Sequence, residues 1–118
     1  MQISVDEYKL TLRRLALRDD RYIDALLREE TANVTLAGLD SRSHALVRVG
    51  ALIALDAAPA SYMSAVQAGL DAGATYDEIV GTLIAVMPIV GIARVVAAAP
   101  NLALALGYDV SEALELVD

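Results

Sequence analysis

Two arginines and one histidine are the first candidates for chemistry. His44 and Arg48 lie four residues apart, so on a helix they share a face. A guanidinium there could hold a carboxylate substrate while the imidazole moves a proton. The plainer reading puts His44 in an exposed first turn and Arg48 against a nearby acid. Arg94 is the only basic residue after Arg48 and stands inside an apolar stretch. A buried arginine needs a carboxylate or several carbonyl acceptors. Arg94 therefore reads as the partner of Asp56, Asp71 or a neighbouring subunit's acid, or else as the anchor of an anionic ligand in a helix-lined pocket. Ser61, Tyr62 and Gln67 share one further helical stretch. Ser61 has no base beside it in sequence, which argues against a nucleophile. Tyr62 reads as packing with its hydroxyl at a rim. If the chain does chemistry, His44 and Tyr62 are the expected proton-moving groups, and Arg48, Ser61 and Arg94 the ligand contacts.

Other chemistries find no residues. The chain has no cysteine, hence no disulfide, thiol couple or thiolate ligand. Its single histidine cannot make an all-histidine metal site within one chain. Phosphate-loop glycines, metal-ligand clusters and nucleophile elbows are absent from the sequence. The expectation is no metal and no cofactor.

The elements that would position these residues are helices. Ser4 with Glu7, and Thr75 with Glu78, have capping-box spacing. Val5, Tyr8, Leu12, Leu15 and Ala16 recur at helical spacing. Asp19 or Asp20 opens a second helix striped by Tyr22, Ile23, Leu26 and Leu27. Thr31 to Leu39 shows no periodicity and reads as a connector closed by Gly38. Asp40 caps a third helix running to about Leu55, Pro59 or Ala60 starts a fourth, and Gly73 ends it. A fifth runs from Tyr76 to about Met87, where Pro88 is expected to end or kink it. A sixth starts near Val90 or Gly91 and reaches Ala99. Pro100 starts a short seventh closed by Gly107, and Ser111 is placed to cap a last turn or two through Leu116. Met63 and Met87 read as core filler. No strand alternation appears, so the fold class is all-α.

The totals bound the rest. At 118 residues this is one domain with a modest core. Yet 57% of residues are apolar, and mean hydropathy is +0.51. A small chain can hide such excess only in a membrane or against another copy of itself. The longest uncharged run, Ile79–Ala93, has 15 residues and is broken by Pro88 and Gly91, short of the ~20 a spanning helix needs. A soluble homo-oligomer is the expectation, without a membrane role. Asp6, Glu7 and Lys9 sit where a signal peptide's apolar region would begin, so the expected location is cytoplasmic. Net charge is −7, all of it from residues 51–118, where Arg94 faces eight carboxylates. Nucleic acid is a poor partner for such a chain.

The segment Leu39–Ala99 resembles the carboxymuconolactone decarboxylase family, which includes the alkylhydroperoxidase-D-like proteins. The resemblance rests on Leu39-Asp40 opening a helix that continues as His44-Ala45-Leu46-Val47, on Ala72-Gly73-Ala74-Thr75, on Asp77-Glu78-Ile79, and on Pro88 with Gly91 three residues on. It covers about half the chain. It implies a compact all-helical domain of six to seven helices, assembled as a trimer or hexamer, with a pocket between helices or subunits. The single domain then comprises N-terminal helices over 1–31, a family-like core over 39–99 and C-terminal helices over 100–118.

The departures from the family are specific. Its redox members carry a CxxC pair before the AGAT-like turn and a histidine four residues later. Counted back from Gly73, those places fall near Ala58, Ser61 and Ala65. The family's glutamate falls near Ala45 or Leu46. Thiol peroxidase chemistry therefore cannot transfer. The decarboxylating branch usually keeps a histidine where Ala65 stands. Three functions follow as expectations. The first is a protein like this family but without its redox centre, binding a small, anionic organic ligand or doing no catalysis. The second is a cofactor-free carboxy-lyase on a carboxylated lactone or related acid. The third is a structural or partner-binding helical module.

Overall fold

A computed structural model of the chain describes residues 3–112, with side chains from residue 6 onward. Among the described residues every regular element is a helix. The order is α1 (Ile3–Ala16), α2 (Asp20–Arg28), α3 (Glu30–Ala37), α4 (Ser41–Leu55), α5 (Pro59–Asp71), α6 (Tyr76–Val90) and α7 (Ile92–Ala105). The chain divides between Leu39 and Asp40 into two compact units.

In the first unit, α1 begins at Ile3, ahead of the expected Ser4 cap, and the Ser4 side chain lies outside the described residues. Asp19 caps α2 by accepting from the Tyr22 N–H at 3.3 Å. The segment read as a connector is the helix α3, ended by Gly38 in the left-handed region (φ 70°). It forms although its N-cap, Glu29, makes no side-chain bond and none of its residues is buried. One tie to α2 is the Asn33 amide, which donates to the Leu26 carbonyl at 3.0 Å.

The second unit packs α4 to α7 around one core. Val49 and Ile53 come from α4, Tyr62 and Val66 from α5, Ala74 and Ile79 from the α5–α6 turn and α6, and Val95, Ala98 and Leu102 from α7. Helices α4, α5 and α6 start where local sequence chemistry dictates. Asp40 accepts from the Ser43 N–H at 2.8 Å, Pro59 fills the first turn of α5, and Thr75 and Glu78 form a complete capping box. Beyond α7, Asp109 rather than Ser111 caps the final described turn, accepting from the Glu112 N–H at 3.2 Å. The expected continuation to Leu116 lies outside the described residues.

Pro100, expected to start a helix of its own, lies within one, and Pro88 precedes the end of its helix by two residues. Pro88 and Pro100 both lie inside helices, α6 and α7, which continue past them. A proline removes one i→i−4 hydrogen bond. The carbonyls deprived here belong to Ile84 and Val96, one turn before each proline. What separates α6 from α7 is Gly91, at φ 92° and ψ 158°, a conformation that L side chains rarely adopt.

The apolar character of α6 is only partly used among the described residues, with Leu83, Val86 and Val90 half-buried against the core. Ile79 is its only buried residue. Ile84 is 69% exposed and Ile89 86%, followed at the start of α7 by Ile92 at 70% and Val96 at 65%. Met63 and Met87, expected in the core, are also exposed.

Candidate functional site

The second unit carries an open groove of about 620 Å³ between α4 and α6. Leu46, Val47, Gly50 and Ala51 line it from α4, and Gly81, Thr82, Ala85 and Val86 from α6, with Glu78 as the only charged lining residue. The small residues follow from helix approach. A Cβ on Gly50 would stand 3.3 Å from Val86 Cγ1, so only glycine lets α4 and α6 come this close without a shift. Gly81 has open space where its Cβ would be, because it faces the groove.

Glu78 is held at both oxygens. Oε1 accepts from the Thr75 N–H at 2.9 Å, and Oε2 lies 3.5 Å from an Arg42 guanidinium nitrogen. The groove is therefore an apolar trough whose one carboxylate is already engaged.

None of the five residues that the sequence singled out lines this groove. His44 is buried at 8% exposure, not in the solvent-facing turn of the plainer reading. Arg48, one turn further along α4, is exposed. Tyr62 is fully buried and donates its hydroxyl to the Leu52 carbonyl at 3.2 Å, tying α5 to the last turn of α4. Burial pushes the Tyr62 hydroxyl above its ordinary pKa, and the Asp56 charge adds to this. At neutral pH it is a donor with a structural partner. Ser61, its neighbour, is exposed.

Arg94 is exposed in the first turn of α7, not buried as its apolar neighbours suggest. No ion pair to it is present among the described residues, and Asp71, one of its expected partners, accepts from the Gln67 amide at 2.9 Å. The five residues thus sit on α4, α5 and α7, and the structure does not gather them at the groove. The groove itself left only a weak signal in the sequence: Gly50-Ala51 on one helix, Gly81 and Ala85 on the next. Among the described residues, no group of three or more histidines and carboxylates is placed to hold a metal ion, and no helix is long and apolar enough to cross a membrane.

Comparison with protein-family models, with curated protein sequences and with solved structures gives no match to this chain.

Proposed function

We propose that this chain is a self-associating helical binding module without catalysis of its own, its copies assembled through the apolar surface of α6 and the start of α7. The observation that carries this reading is the run Ile84, Ile89, Ile92 and Val96, each about two-thirds exposed or more. Covering one such side chain contributes about 1.5–3 kcal/mol. Four of them on every copy favour association against its entropic cost. A trimer or hexamer is the assembly that the family resemblance suggests. Arg94 lies among these residues in sequence, within a unit otherwise rich in carboxylates, and so suits an acid on another copy.

The rival readings need a pocket. A lyase or a binder of small anions would gather His44, Tyr62, Arg48 and Arg94 around one cavity, and the groove between α4 and α6 takes none of them. Small-molecule sites bury most of their ligand, and this groove is open to solvent. Gel filtration with light scattering tests the reading by comparing the parent with the double variant Ile89→Glu, Val96→Glu. The expected result is an assembled parent and a dispersed variant that keeps its helicity. Equal masses for the two would remove the proposal.

A further inference from the structure

We infer that two copies meet through α6 turned end for end, with Ile84 of one against Ile84 of the other and Val80 against Met87. This rests on the self-association reading and adds to it the contact helix, its orientation and its register. Val80, Ile84 and Met87 stand at positions i, i+4 and i+7 of α6, all three are exposed, and none lines the α4–α6 groove. That spacing makes the narrow apolar seam that a facing helix covers. Between Glu78 and Arg94 the chain has no charge, so a seam of the same composition leaves no ion stranded. The three positions are also nearly symmetric about Ile84. A two-fold axis there turns the seam onto itself, as a closed interface between two identical copies requires.

Charge chooses the sense. Helices α4 and α6 run the same way, since Arg42 meets Glu78 at their starts and Gly50 adjoins Val86 further along. The turn over 72–75 joins the end of α5 to the start of α6. One end of the unit therefore carries Asp40, Asp71, Asp77 and Glu78 against Arg42, whereas the end where α6 stops carries Asp56 against Arg94. Glu78 is taken up by Arg42. Asp77 and Arg94 are exposed, and among the described residues neither has an ion pair or a side-chain hydrogen bond. Copies aligned in the same sense would set acid on acid. Turned end for end, each sets its acidic end beside the other copy's Arg94.

The chain has no cysteine, so introduced thiols read the contact directly. Full-length Val80→Cys and Met87→Cys proteins are unfolded together in urea, refolded and oxidised under dilute conditions. The expected product is the mixed disulfide between the two variants, formed at least tenfold faster than either variant joins to itself. In the turned arrangement like positions lie seven residues apart along the axis, about 10 Å, beyond the ~7 Å between Cα atoms that a disulfide spans. Ile84→Cys should join to itself at least tenfold faster than Ser64→Cys, an exposed position on α5. Self-joining of Val80→Cys and Met87→Cys that matches or outpaces the mixed product overturns the inference. So does Ile84→Cys no faster than the control. If the parent is an assembly in either case, the orientation or the contact helix is wrong and self-association stands. If the parent is a single chain, both fall.

Discussion

Arg42 on α4 and Glu78 on α6 face each other at 3.5 Å, and the same carboxylate closes the α6 cap through the Thr75 N–H. One side chain thus fixes where α6 begins and links it to the first turn of α4. The two jobs have different weight. The ion pair is part-exposed and worth little, whereas the cap satisfies backbone donors that nothing else serves. Thr75→Ala should cost about 1 kcal/mol in urea unfolding, and Arg42→Ala less than about 0.5 kcal/mol. The reverse order would mean that the cap is not what positions α6.

Tyr62 controls the alkaline side. Its hydroxyl shares the Leu52 carbonyl with the Ala57 N–H, so Tyr62→Phe leaves no carbonyl orphaned and should cost about 1 kcal/mol or less. The folded-state pKa of Tyr62 is raised above 10.0, so its stabilisation is complete below about pH 10 and declines as pH rises toward the folded value. Urea midpoints for the parent should fall over that range, and those of Tyr62→Phe should fall less. Parallel curves would show that burial of this hydroxyl is not what couples stability to pH.

Asp40 works in the opposite direction. The Ser43 N–H, then the Ser43 hydroxyl, with a further contribution from the Arg42 charge, hold its carboxyl below the ordinary value of 3.8. Its contribution is present above that value and is lost as pH falls through the lowered folded pKa. Asp40→Asn keeps a capping oxygen without the titration. The variant should match the parent near neutrality and lose less stability on acidification. An unchanged acid limb would assign that limb to other carboxylates.

What the sequence made legible follows from the range of the forces involved. Caps at Asp19, Asp40 and Thr75, the proline start at Pro59 and the stop at Gly107 depend on neighbours three or four residues away, and spacing reveals them. The helix α3 was not legible, because it buries no residue fully and has no apolar period to read. Pro100 misled because one lost i→i−4 bond does not end α7, which buries Val95 and Ala98 before it and Leu102 after it. His44 and Arg94 exchange their expected environments, one buried and one exposed, because burial is decided by which helices pack on which faces. The groove depends on four small residues from two helices, and small residues serve many purposes. The excess of apolar residues and its concentration over Ile79–Ala93 were legible, and which of those side chains would be left exposed was not.

Arg94 should carry a salt-sensitive share of the assembly. In the described residues it is a cation in the first turn of α7, with Ile92 and Val96 exposed on either side of it. Arg94→Glu should weaken association in sedimentation velocity, and the parent should dissociate more readily at high salt. An Arg94→Glu protein that associates as tightly as the parent would take Arg94 out of the interface.

Sedimentation equilibrium of the unaltered chain over a range of dilute concentrations tests the central claim most directly. Copies joined through the open α6–α7 surface should give a mass at least twice the 12.5 kDa of one chain at the higher concentrations. A mass of 12.5 kDa at every concentration would contradict it.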